Sequence, residues 1–340
     1  MNRPLGSGTR SAAGAGSAQT PKKEYRREIF APFYMLAVLG LLLLSSFIDT
    51  KLTRENENFA VILLQLLIFL MPAVVYLYLT KPSLSGLRIR PFGFGHLFLM
   101  LSALTAMVSS SLLLDLTVEG YESLSGSFDL FGVFVSKPDG TVGDGIYLIV
   151  AYAALPAFCE EMVFRALLTA EYEKRSTAAA ILMPSLFFAM LHLDVEHFPA
   201  LMISGVILSL TLYASRSAPA AFVVHLCYNL ISLFGRPFIR TLYDLGGKGL
   251  FLFIVNSLFL LSGFLFCAEA SRLYRGYSDR NLSSSYRDMK PAPGEGRDRS
   301  AVSVARLFSE RHPRLAATLT AVFSPTALAV YVVYTAAVVF

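Results

Sequence analysis

Three short motifs place chemistry-bearing side chains in stretches that are otherwise apolar: Glu160-Glu161-x-x-x-Arg165 in ALPAFCEEMVFRALL, Phe188-x-x-x-His192 in SLFFAMLHLD, and His225-x-x-x-Asn229 in FVVHLCYNL. A step of four residues returns a helix to nearly the same face. Glu161 and Arg165 are therefore predicted to form an ion pair, while Glu160, one residue earlier, is expected to point to a different surface with its charge less compensated. That is the condition of a general base. Pro156, four residues before Glu160, removes a backbone hydrogen bond and is expected to bend the helix there. A carboxylate beside an imidazole can take a proton from water, and a second imidazole with an amide can hold a developing oxyanion. Together they are equipment for hydrolysing a peptide bond without a covalent intermediate. Glu160, His192 and His225 could equally bind zinc and leave one position open for water; the residues alone do not separate the two chemistries.

Other hydrolytic patterns fit poorly. No HExxH is present, so the two-histidine zinc helix is absent. GTVGD at 140–144 falls in a loop, with no partner aspartate inside an apolar stretch. Ser204 before Gly205 reads as a pair of small residues at a helix contact. The three cysteines, Cys159, Cys227 and Cys267, show no CxxC spacing and read as small packing residues.

The elements that must position these groups are set by composition. Hydrophobic residues make up 55% and charged residues 16% of the 340, with a mean hydropathy of +0.57, far from the soluble average of about 25% charged. Apolar runs long enough for a ~30 Å hydrocarbon core recur at 29–48, 58–80, 96–116, 146–170, 177–193, 198–215, 218–235, 249–268 and 315–340. The fold expected is an all-α, polytopic membrane bundle of about eight core helices plus a C-terminal one. A single polar residue in such a span is usually an interhelical hydrogen bond. Four on three helices are costly enough to point to function. At about 1.5 Å per residue, Glu160, His192 and His225 lie roughly 18, 22 and 10 Å from the cytoplasmic ends of their spans.

Most of the 29 lysines and arginines fall on one side if the N-terminus is cytoplasmic. Residues 1–28 then form a disordered cytoplasmic tail. Residues 29–144 hold N-terminal spans and an acidic outer loop, 145–235 the motif helices, 236–269 a further span beyond a basic outer loop, 270–314 a flexible basic cytoplasmic segment, and 315–340 an appended helix. The net charge of +5 needs no nucleic acid, because positive-inside bias and anionic lipid account for it.

In this order on successive membrane helices, the three motifs resemble those of the CPBP family of intramembrane proteases, which includes the type II CAAX-processing proteases and the bacteriocin-processing and self-immunity (Abi) proteins. The resemblance covers about residues 145–235. It implies that Glu160 activates water with help from His192, that His225 and Asn229 hold the oxyanion, and that Glu161, Arg165 and Phe188 support them. It implies no resident cofactor on a glutamate-dependent route, or zinc on Glu160, His192 and His225 on a metalloprotease route. The partners expected are membrane lipid and a membrane-associated peptide or protein substrate, in the cytoplasmic membrane of a bacterium. A non-enzymatic immunity or scaffold protein using the same polar network, and a proton-coupled transporter, are the rival readings; the second lacks the paired broken helices expected at a transport site.

Overall fold

The computed structural model describes residues 30–45, 62–81, 87–118, 142–279 and 313–339, and their regular structure is entirely helical. The tail at 1–28, most of the acidic outer loop and most of the 270–314 segment lie outside the described residues. The helices are α1 (Ala31–Ser45), α2 (residues 62–80, with a π turn at Leu66–Leu70), α3 (Leu97–Val118) and α4 (residues 142–172). They continue with α5 (Thr177–Leu191), α6 (Phe198–Ser215), α7 (Ala218–Phe234), α8 (Arg236–Asp279), α9 (Pro313–Val322) and α10 (Pro325–Val339).

Among the described residues, five apolar stretches are long enough to cross a membrane: Ile62–Leu79, Phe94–Leu116, Gly145–Tyr172, Phe198–Ser215 and Pro237–Arg275. The expected spans at 29–48, 177–193, 218–235 and 315–340 correspond to shorter apolar helices of 10–17 residues, which at about 1.5 Å per residue stop short of a ~30 Å core. The last one divides. Pro325 has no N–H with which to continue a helix, and Ser324 starts α10 by accepting from Ala327 N at 3.2 Å. The 236–248 stretch, expected as a loop, is helical, with its break at Gly247 (φ 69°), a conformation open to glycine. From there α8 runs on to Asp279, into the segment expected to be flexible.

Side-chain chemistry sets the helix starts. Ser176 caps α5 by accepting from Ala179 N at 3.0 Å, and Ser217 caps α7 by accepting from Ala220 N at 3.3 Å. Two large buried clusters hold the helices together, with two smaller ones beside them. One joins α1, α2, α4, α5, α9 and α10 around Phe164, Phe187 and Phe188; the other joins α3, α6, α7 and α8 around Leu99, Met107 and Leu208. Helix α4 contributes to the first and also touches α6 and α7 of the second, so its polar residues lie where the two halves meet. Helices α9 and α10 belong to the first cluster through Ala321, Ala327 and Val330, and Thr318 meets Ser176 at 2.9 Å. Large apolar side chains such as Phe253, Phe264 and Val332 stay about 70% exposed, the surface a bilayer would cover.

Helices α5 and α6 approach most closely at Gly205, where an added Cβ would lie 2.9 Å from the Cα of Ser185. Ser204 beside it is buried. The small-residue reading of this pair describes what they do.

Candidate active site

The backbone of α4 departs from regular α geometry twice, with π turns at Ile149–Ala154 and Glu161–Leu168. Pro156 sits in the first turn of the α segment between them. The proline lacks an N–H for the helix ladder, and π turns widen the helix on either side of this segment.

The widened turn brings both carboxylates to one partner. His225 on α7 places Nδ1 2.9 Å from Glu161 Oε1 and Nε2 3.7 Å from Glu160 Oε2. Arg165 closes the group, with Nη1 3.3 Å from Glu161 Oε1. All four side chains are at most 4% exposed. The ion pair predicted between Glu161 and Arg165 is present, but Glu160 does not face a separate surface. Consecutive residues share a partner here because the imidazole offers two nitrogens on opposite edges and the helix carrying the carboxylates is not a regular α-helix. Glu160 and His225 meet within the bundle. The Ser217 hydroxyl donates to Arg90 O at 2.5 Å and Ala218 N to Arg88 O at 3.0 Å, so α7 begins against the 88–90 loop.

Glu161, paired with Arg165, can accept from Nδ1 of His225, and Nε2 faces Glu160. At 3.7 Å that second pair is beyond a direct hydrogen bond. Arg165 also donates through Nη2 to Gly205 O at 3.3 Å and lies over Phe188, its Cζ 4.7 Å from the ring centroid, a cation–π contact. Glu161 Oε2 and Arg165 Nε are buried without a hydrogen-bond partner, polar capacity of the kind found at functional sites.

Asn229, one turn beyond His225, donates from Nδ2 to Ala153 O at 3.3 Å. That carbonyl belongs to the first π turn, and the bond leaves the second amide hydrogen for another acceptor. His192 is the C-cap residue of α5. Its Nδ1 lies 2.8 Å from Phe188 O; a carbonyl only accepts, so Nδ1 carries the proton and Nε2 presents a lone pair. The Phe188 ring is flanked by His192 at 4.9 Å and His225 at 5.6 Å between centroids. Among the described residues no ion pair or hydrogen bond joins His192 to Glu160. The expected set thus forms in part: Glu160, Glu161, Arg165 and His225 come together, Asn229 is oriented beside them, and His192 is separated by Phe188. Glu160, His192 and His225 do not converge as ligands, and among the described residues no three His, Cys, Asp or Glu side chains are grouped to hold a metal ion.

Sequence reasoning missed the polar anchors at the far end of α4. Glu171 accepts from Phe30 N and Tyr76 Oη, and Glu173 accepts from Arg88 Nη2 and Tyr213 Oη, both at 2.5 Å. Burial opposes the charge on Arg88, but Glu173 and Tyr213 outweigh it and hold the guanidinium pKa above its ordinary value. Two glutamates directly after an apolar run were the available signal.

The geometry is joined by a family match. Residues 143–231 match the family model described as type II CAAX prenyl endopeptidase Rce1-like. This segment is similar to that family. No curated protein and no solved structure matches the chain. The Rce1-like segment contains every residue of the three motifs, so the resemblance to CAAX-processing proteases read from them stands. The family that this segment resembles is one of CAAX prenyl endopeptidases, and among the described residues several helices are long and apolar enough to cross a membrane.

Proposed function

We propose that this protein is an intramembrane endopeptidase that hydrolyses a peptide bond in a membrane-associated peptide or protein, using water activated by Glu160. The observation that carries the reading is the position of His225 between the two buried carboxylates, with Arg165 compensating the inner one. Glu160 takes a proton from water as the oxygen attacks the scissile carbonyl. The negative charge that develops on that carbonyl oxygen is met by the remaining Asn229 amide hydrogen and by Nε2–H of His225 in its doubly protonated form, and Glu160 returns the proton taken from water to the leaving amine. Glu161 and Arg165 hold His225 in register. His192 offers Nε2 from across the Phe188 ring, and its approach to the attacking water is the kind of tightening that unliganded sites undergo on binding substrate. No step is routed through a metal.

The N-terminus is placed on the cytoplasmic side of a bacterial cytoplasmic membrane, on the strength of the lysine and arginine distribution. Lipid surrounds the exposed apolar faces, and nucleic acid has no part in the function. The test is cleavage of a farnesylated CaaX peptide and of a quenched membrane-peptide library by the purified protein in nanodiscs. Wild type is expected to cleave one of them, and Glu160→Gln to cleave neither. Equal rates in the two proteins would overturn the proposal, as would a wild type that cleaves nothing.

A further inference from the structure

The turn that carries His192 is held in place by residues outside the three motifs. Helix α5 ends on Leu191, with His192 N donating to Ala189 O at 3.4 Å and Leu193 N to Met190 O at 3.1 Å. Leu193 then adopts φ 52°, a left-handed conformation that a leucine holds only when its surroundings impose it. What imposes it lies next in the chain. Asp194 accepts from His197 N through Oδ1 at 2.9 Å and faces His197 Nδ1 through Oδ2 at 2.7 Å. His197 is the N-cap residue of α6 and accepts from Leu201 N at 3.0 Å. Its Nε2 lies 3.4 Å from Oδ1 of Asp115, a mostly buried carboxylate on α3. One imidazole thus ties the His192 turn, the start of α6 and the end of α3 together. Phe198, next to it, packs on Tyr334 of α10 with ring centroids 6.4 Å apart.

We propose that His197, with Asp115 and Asp194, is a positioning residue that acts through His192. The reading rests on the protease function proposed above. A six-residue connection between α5 and α6, left unlatched, would let the C-cap rotate about Leu193 and carry the His192 ring off Phe188. Helix α3 is a firm anchor because it packs along α6, α7 and α8. The latch touches none of the reacting atoms. It sets where one of the two imidazoles stands.

The test uses full-length protein in nanodiscs, with His197→Ala, His197→Gln and Asp115→Asn, and two readouts. Hydrogen exchange over residues 190–198 should accelerate in His197→Ala and Asp115→Asn while α3 and α6 keep their protection. With whichever of the two substrates wild type cleaves as probe, kcat should fall about tenfold with KM unchanged, and His197→Gln, which keeps a donor, should recover part of it. Global loss of protection in His197→Ala shifts the decision to Asp115→Asn, which keeps size and shape. Unchanged exchange over 190–198, or faster exchange with full kcat, would overturn the latch while leaving the protease reading intact. A wild type that cleaves nothing would overturn the protease reading, and the positioning role with it.

Discussion

Nδ1 of His225 lies 2.9 Å from Oε1 of Glu161, across the contact between α7 and α4. This bond gives the imidazole one orientation, and its other nitrogen faces the carboxylate of Glu160. An ordered proton path in a water-poor interior depends on such fixed partners.

Arg165 is the cation that makes the bond affordable. Replacing it by Met leaves Glu161 buried and uncompensated, which should cost about 3–5 kcal/mol. Adding Glu161→Gln should restore most of the stability without restoring cleavage. Reversible unfolding in mixed micelles, paired with the peptide assay, checks both halves.

Gly205 lets α6 approach α5 closely enough for its carbonyl to receive Arg165. Gly205→Ala places a methyl 2.9 Å from the Ser185 Cα, a backbone atom that yields only if the helices part. The expected loss is about 1–3 kcal/mol, with lower activity from a displaced Arg165. A variant as stable and active as wild type would contradict the described packing.

Asn229→Ala removes one donor from the proposed oxyanion site and frees Ala153 O. A drop of about 10²–10³ in kcat is expected, against a stability change of about 1 kcal/mol. Parallel losses in stability and activity would assign Asn229 to packing instead.

Beside the end of α4, Arg88→Ala should leave Glu173 and Tyr213 without their cation and release the loop that holds the start of α7. The expected cost is about 1.5–3 kcal/mol, the range for hydrogen bonds to charged groups. Arg88→Lys should recover only part of it, because the planar guanidinium also lies 4.5 Å over the Tyr213 ring. Thermal unfolding of the three proteins in one detergent makes the comparison.

Much of this was legible in the sequence because membrane helices announce themselves by apolar runs and their polar residues stand out against that background. The helices at 62–79 and 198–215 match expectation closely, and the Glu161–Arg165 pair follows from spacing alone. What spacing could not show is the course of a backbone that leaves the α period. The two π turns of α4 put Glu160 beside Glu161 on His225, where a regular helix would separate them. Asp115 and His197 escaped notice because they sit in a helix end and a loop far apart in the chain, where no periodic pattern links them.

The most direct measurement is peptide cleavage by protein stripped with 1,10-phenanthroline, comparing wild type with Glu160→Gln in nanodiscs. The account predicts that wild type keeps its rate after chelation and that the variant, equally folded, loses at least about a hundredfold, the scale of a general base. Undiminished cleavage by Glu160→Gln would contradict it, and so would a wild-type rate that vanishes on chelation and returns with zinc.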